Sequence, residues 1–489
     1  MNFTREIRRV LLLILLAFGV VGLSAAYWSL FGADDLLARN DNPRLVEAEA
    51  AIRRGSLYDR NGVLLAQTVI NPDPAAAFNQ RLLRRYPYAA MNSALGYFSL
   101  RYGVGGAEAA YDAILRGDTL PDTLRQRFEQ AVLHRPQVGS DVRLTFDVAV
   151  QQSIVAAMGD AKGAAVVLAA PSGDLLALVS QPTYDPSTLD ADWDELVAAP
   201  GEPFFNRVLQ GQYQPGGSLQ TPLLAAALLA DYDLSQPIAN AKQPVSVGDV
   251  SLRCTVTPAL DVLTTLQAYA YGCPYPFEQL ITALPVTALA AIFETLQLDQ
   301  PPTLAGFVAD PPNETPEITP EATPQVSSSQ RANALGQGDL RVNPLAMAGL
   351  AAALVNDGNA PHPHALQATR APDSDWQTAT FHEAGQAMLT AAVASQLRTI
   401  MQAALPIGAA QAAQRDSSTN GPVIGGHAAL AYSGETTQAW FVGFVVVEGR
   451  LGAGVAIVLE NSDDLTEAAR VGGVALRAAH DALIPSLSP

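Results

Sequence analysis

The sequence predicts an α+β fold: an antiparallel sheet assembled from hairpins, split by a long helical stretch and closed by a C-terminal helix. Three observations carry this. "GAAVVLAA" (Gly163–Ala170) and "DLLALVS" (Asp174–Ser180) flank the turn Pro171-Ser172-Gly173, the pattern of a strand hairpin. "WFVGFVVV" (Trp440–Val447) and "GVAIVLE" (Gly454–Glu460) repeat that pattern near the C-terminus. Between the two hairpins lie long apolar segments of helical period, and 49% of the chain is hydrophobic, enough for a large packed core.

Taken in order, the chain opens with an uncharged apolar run, Val10–Phe31, behind Arg5, Arg8 and Arg9 and ahead of Asp34, Asp35 and Asp41. At about 1.5 Å per residue such a helix spans roughly 33 Å, enough to cross a bilayer core. The flanking charges keep the short tail in the cytoplasm and place the remainder outside. Residues 1–31 are therefore read as cytoplasmic tail and anchor of a single-pass cell-membrane protein whose bulk is extracytoplasmic. Ser24-Ala25-Ala26 leaves a cleaved signal peptide as the competing reading.

Residues 32–140 are read as a small N-terminal module. In "RGSLYDRNGVLLA" (Arg54–Ala66) the Asn61-Gly62 pair is a hairpin-turn signal, because both residues tolerate positive φ. Short helical patterns follow, among them Glu108–Leu115. The main domain spans 141–489. "VRLTFD" (Val142–Asp147) reads as a strand and 148–158 as a helix. Apolar helices are expected around 222–232, 260–271, 278–298, 344–356 and 386–404, with a last helix over about 465–483. "DPPNETPEITPEATPQVSSS" (Asp310–Ser329) cannot bury a core, so residues 310–330 are expected to form a disordered loop.

The formal charge is −18, from 29 basic and 47 acidic residues. That excludes a nucleic-acid partner, which needs clustered cations. His362-Pro363-His364 lies in a Pro-rich loop without a further nearby ligand, so no metal is expected, and no cofactor motif appears. The two cysteines, Cys254 and Cys273, have 18 residues between them. Outside the cytoplasm a disulfide is chemically allowed and would contribute roughly 3 kcal/mol; two free buried thiols are the alternative.

These segments together resemble the class B penicillin-binding proteins, in the expected order along nearly the whole chain after the anchor. Arg54–Ala66 resembles the opening of their pedestal module. "DVRLTFDVAVQQ" (Asp141–Gln152) and "GAAVVLAAPSGDLLALVSQPTYDP" (Gly163–Pro186) resemble the start of their transpeptidase domain. "NRVLQGQYQPGGSLQTP" (Asn206–Pro222) resembles the approach to the nucleophile. "GQGDLRVNPLAMAGLAAALVNDG" (Gly336–Gly358) and "AWFVGFVVV" (Ala439–Val447) match later landmarks. The resemblance implies a penicillin-binding, serine-transpeptidase fold with a pedestal. It also implies three motifs: S-x-x-K, whose serine attacks and whose lysine takes the proton; S-x-N, which completes the relay; and K-T-G, which supplies charge to the substrate carboxylate.

Every motif is broken. Over the first lie Pro215-Gly216-Gly217-Ser218-Leu219-Gln220, putting Gly217 at the nucleophile and Gln220 at the lysine. One inserted glycine would make Ser218 the nucleophile and Thr221 the lysine position. The S-x-N position reads Gly272-Cys273-Pro274, and the K-T-G strand is placed at Tyr432-Ser433-Gly434, followed by Glu435. Ser418-Thr419-Asn420 matches S-x-N only as a string in a polar stretch. The lysine inventory is independent of alignment. The chain has two lysines, Lys162 and Lys242; Gly159 and Ala239 stand three residues before them, and Gly163 and Gln243 follow them. Neither S-x-x-K nor K-T-G exists anywhere. Glu435 would moreover repel a carboxylate about 4 Å away by roughly 1 to 4 kcal/mol, so weak or absent β-lactam binding is expected.

The leading expectation is a catalytically inactive homologue acting as scaffold or regulator in cell-wall synthesis. The resemblance implies a polytopic membrane glycosyltransferase as partner. A receptor that holds peptidoglycan peptides or a β-lactam without chemistry is one alternative, with Tyr432 and Tyr271 as candidate contacts. Residual acyl transfer through Ser218 is the other.

Overall fold

In a computed structural model of the protein the described residues are 3–30, 49–75, 77, 80–120, 136–298, 300, 304, 307, 327–381, 385–414, 421–434 and 436–484. The chain divides into two units. The first comprises residues 1–53, 68–83 and 122–138 and contains helix α1, Phe3–Leu30. The side chains described in α1 are those of residues 8–24 and 27, and its large apolar ones from Val10 to Leu23 are exposed. Among the described residues no single helix is long and apolar enough to cross a membrane.

The second unit, residues 54–67, 84–121 and 139–489, carries the site. Strand β1 (Leu57–Tyr58) turns at Gly62, φ +84°, into the start of β2 (Leu64–Ile70), as the Asn-Gly signal predicts. β1 also pairs in parallel with β3, Asp141–Leu144. The opening of the small module and that of the main domain thus share a sheet. Helix α2, Val148–Met158, starts where Asp147 accepts from the backbone N–H groups of Ala149 and Val150, satisfying donors that have no partner inside the helix.

The main sheet has five strands. β4 (Gly163–Ala170) and β5 (Leu175–Gln181) form the first hairpin. The helical insertion follows: α3 (Gln220–Leu229), α4 (Thr265–Tyr271), α5 (Pro274–Ala283), α6 (Val286–Leu296), α7 (Ser328–Ala334) and α8 (Pro344–Val355). β6 (Leu366–Arg370) pairs with β3, and α9 (Ala391–Ala404) precedes β7 (Val423–Ser433), β8 (Thr436–Glu448) and β9 (Leu451–Glu460). Helix α10, Leu465–Leu483, has the bounds the sequence predicts. The strand order is β7-β8-β9-β4-β5, antiparallel throughout.

The sheet is buried on both faces, which explains why β4 and β5 read as continuous apolar runs. On β4, Ala164, Val166 and Leu168 join a core with α8, whereas Ala165, Val167 and Ala169 join a core with α2 and α10. Alternation of period two divides the strand between two helical layers. Helix α8 approaches so closely that a Cβ at Gly454 of β9 would lie 2.3 Å from the Ala348 carbonyl oxygen.

The largest departures from the expected boundaries are four. The expected helix at 260–271 starts at Thr265, where Thr264 and Gln267 form a capping box. The expected helix at 278–298 is two helices, because Leu284 is extended before Pro285, the conformation a following proline imposes. Residues 386–387 form a short strand, and the following helix begins after the Thr390 cap. Of the expected loop at 310–330, residues 310–326 lie outside the described residues. Ser327 caps α7 in a reciprocal pair with Gln330, so residues 327–330 are ordered rather than looped.

Candidate functional site

The three altered motif segments of the insertion and β7 converge on one cavity of about 140 Å³. Its first wall is the turn before α3. Gly216 has φ +53°, and a Cβ there would lie 2.2 Å from the Leu430 carbonyl oxygen. Only glycine lets the single 3-10 turn, Gly216–Leu219, lie flat on β7. Gly217 follows in the cavity wall. A Cβ on it would stand 3.1 Å from the Ala429 Cβ and 3.9 Å from Gln220 Nε2, one turn further on. Gly217 and Gln220 both line the cavity, as the ungapped alignment requires. Ser218 does not: it is buried, and its Oγ donates to the Pro215 carbonyl oxygen at 2.7 Å. Thr221 Oγ1 is 2.8 Å from the Tyr269 hydroxyl, inside the core. The one-glycine insertion therefore places neither of its residues in the cavity.

The second wall holds Gly272 and Pro274. Gly272 ends α4 in the left-handed region, φ +60°, and a Cβ on it would meet Thr255 Oγ1 at 2.3 Å. That hydroxyl donates to the Tyr271 carbonyl oxygen at 2.9 Å. Between Gly272 and Pro274 sits Cys273, joined by a disulfide to Cys254. The bond ties the segment Leu252–Thr255, which also lines the cavity, to this wall.

Strand β7 forms the third wall, through His427, Ala429, Leu430 and Tyr432. His427 Nε2 lies 3.3 Å from the Gly217 carbonyl oxygen, and its ring stacks on Tyr269 with centroids 4.2 Å apart. Burial lowers the pKa of this imidazole to about 4, so it is neutral at pH 7. Here the sequence reading is corrected. The residues of β7 abreast of Gly217 are His427–Leu430, not Tyr432–Gly434. Tyr432 reaches the cavity, but Ser433 and Gly434 sit at the hairpin end and do not line it; the Ser433 carbonyl accepts from Thr436 Oγ1. The displacement follows from register: Ser433 pairs with Thr436, the last pair before the turn. Glu435 and Ser418–Asn420 lie outside the described residues, so the expected carboxylate repulsion has no geometry here.

Both lysines are engaged elsewhere. Lys162 Nζ is 3.1 Å from a Glu460 carboxylate oxygen and Lys242 Nζ is 2.5 Å from Asp261, and neither lines the cavity. Among the described lining residues there is no serine and no lysine. Gln220 is buried, only 7% exposed, and its Oε1 accepts no hydrogen bond within the protein. The described lining residues can bind through hydrogen bonds and apolar contact. The sequence reading missed three site residues: His427, Tyr269 and Arg253. Arg253 was findable, since pairing Cys254 with Cys273 brings its neighbour to the Gly272–Pro274 wall.

Residues 163–476 match the family described as penicillin binding protein transpeptidase domain. The chain is 28% identical over 485 residues to Peptidoglycan D,D-transpeptidase PbpA of Mycolicibacterium smegmatis, with 94% of each chain covered. It is 30% identical over 148 residues to Peptidoglycan D,D-transpeptidase MrdA of Escherichia coli, covering 28% of this chain and 23% of that one. Among solved structures it is similar to the imipenem acyl-enzyme complex of penicillin-binding protein A from M. tuberculosis. The TM-score is 0.73 at 26% identity, over 88% of this chain and 99% of that one.

Proposed function

The chain belongs to the class B penicillin-binding proteins, and on that premise we propose that it is a non-acylating member, serving peptidoglycan synthesis as a membrane-anchored scaffold or regulator. One observation carries the proposal. The nucleophile and base positions in the cavity are Gly217 and Gln220, and neither of the chain's two lysines reaches them. Removing a nucleophile or its base costs on the order of 10⁶ in turnover in a serine hydrolase, and no rearrangement of this chain restores the lysine.

The names of the full-length relatives, D,D-transpeptidases of peptidoglycan, support the cell-wall setting. The uncharged apolar run Val10–Phe31 behind Arg5, Arg8 and Arg9 in the sequence supports the anchor. Anchor and pedestal would carry contacts to other synthesis proteins, a polytopic glycosyltransferase among them. Residual acyl transfer through Ser218 finds no support in the geometry, because its hydroxyl is turned away into a hydrogen bond with Pro215.

The test is covalent labelling of the purified chain by a fluorescent penicillin, read by intact mass. No adduct at millimolar antibiotic is the expected result. An adduct of one antibiotic mass, mapped to any residue of the cavity or to Ser218, overturns the proposal.

A further inference from the structure

A second cavity, of about 250 Å³, lies away from the altered motifs and shares no lining residue with the first. It opens between the C-terminus of α6, the first half of α8 and the segments 360–363 and 386–388. Leu296, Leu345 and Met388 give it a buried apolar floor, and Gly349, in the middle of α8, completes that floor. This glycine is buried, yet a Cβ built on it would meet nothing within 4 Å outside its own helix. The glycines of α10 differ. A Cβ at Gly472 would lie 2.1 Å from the Phe441 ring, and one at Gly473 2.3 Å from the Ala413 carbonyl oxygen. An interior glycine weakens a helix relative to alanine. Close packing explains the two in α10 and does not explain Gly349, which faces open space.

The rim supplies a matched pair of polar atoms. Gln297 follows α6 with φ +45° and lines the cavity together with Gln386. Gln386 Nε2 donates to the Thr295 carbonyl oxygen at 3.0 Å and to Gln297 Oε1 at 3.2 Å. That pairing leaves Gln297 Nε2 and Gln386 Oε1 without a bond to any described residue. One free donor and one free acceptor on the same rim complement a secondary amide, whose C=O accepts and whose N–H donates. Among the described lining residues there is no Asp, Glu, Lys or Arg. Helix α6 also brings its C-terminal, negative end to the rim, which disfavours an anion.

We propose that this cavity binds an uncharged ligand carrying a secondary amide and a small aliphatic group. Gln297 and Gln386 hold the amide, and the aliphatic group sits on α8 over Gly349. The volume of about 250 Å³ exceeds the roughly 150 Å³ of a cavity that admits benzene and falls below the roughly 300 Å³ at which drug-sized sites begin. The ligand therefore has the scale of one capped amino-acid residue. The inference goes beyond the non-acylating reading and is independent of it, because the two cavities share no residue.

The experiment is ligand-observed NMR on the full chain in detergent micelles. The probes are N-acetyl-leucine N-methylamide, which is neutral, and N-acetyl-leucine, which is anionic. The neutral probe is expected to bind more tightly by about tenfold, since the anion gives up water without gaining a counter-charge. Gln297→Glu keeps the acceptor for Gln386 and removes the free donor, so it is expected to weaken the neutral probe about tenfold. Gln297 is exposed, and this variant should melt with the parent. Gly349→Leu fills the space over α8 and is expected to abolish saturable binding, which also sets the background from probe dissolved in micelles. If Gly349→Leu does not fold, Gln297→Glu decides alone. Equal affinity for the two probes, unchanged affinity in Gln297→Glu, saturable binding that persists in a folded Gly349→Leu, or no binding of the neutral probe up to tens of millimolar overturns the inference. A penicillin adduct would sink the non-acylating reading and leave this one standing.

Discussion

His427 gives the sharpest test of the cavity's electrostatics. The ring is buried between Tyr269 and the turn before α3, and burial lowers its pKa from the ordinary 6.5 to about 4. The unfolded chain takes up this proton near pH 6.5, the folded chain only near pH 4. Between those values the unfolded state binds more protons, so acid favours unfolding. The contribution of the neutral ring is present in full above pH 6.5 and is lost as the pH falls towards 4. At about 1.36 kcal/mol per pH unit, the whole window amounts to roughly 3 kcal/mol, and pH 5 reaches about 2 kcal/mol of it. The assay is urea denaturation of the parent and of His427→Gln at pH 7 and pH 5. Glutamine does not titrate, and the carboxylates common to both proteins cancel in the double difference. The parent is expected to lose about 2 kcal/mol more than the variant. Parallel losses would refute the reasoning. The imidazole would then be protonated in the folded state, and β7 would carry a cation beside Gly217 after all.

Three further outcomes follow from buried contacts. Arg54 bonds Glu108 at 3.0 Å and Asp112 at 2.5 Å, and Arg84 bonds the fully buried Glu108 at 2.7 Å. Arg54→Met should cost about 3–5 kcal/mol by leaving buried charge undercompensated, and a shift in the urea midpoint worth under about 1 kcal/mol would contradict that. Replacing Cys254 and Cys273 by serine should cost about 3 kcal/mol. Thiol titration of denatured, unreduced protein should find no free thiol, and two would contradict the bond. Ser218→Ala should cost about 1 kcal/mol through the lost bond to Pro215 and leave penicillin labelling unchanged. Labelling present in the parent and lost in the variant would identify Ser218 as a nucleophile.

Much of the fold is legible because its strongest elements are periodic over a long stretch. The bounds of α2 and α10 follow from their apolar stripes and their caps, Asp147 and Asp464. β4 is legible as an apolar run because helices cover both faces of the sheet. The insertion is read less well, since α4 to α6 are short and their ends are set by single residues. Thr264 starts one helix and Pro285 breaks another, and an apolar window several residues wide averages over both.

The site separates along the same line. Gly217 and Gln220 are found because Pro215-Gly216 and Thr221-Pro222 survive on either side and fix the register. The strand motif is misplaced because the residues abreast of Gly217 are His427, Ala429 and Leu430, which share no letter with Lys-Thr-Gly. A reading that searches for remnants slides to Ser433-Gly434 at the turn. The hairpin contains the missing constraint. β8 extends from Thr436 to Glu448, so its partner must run back from Ser433 to Val423 through the apolar stretch Gly425–Ala431. A strand of that length carries the cavity-facing residues well before its turn.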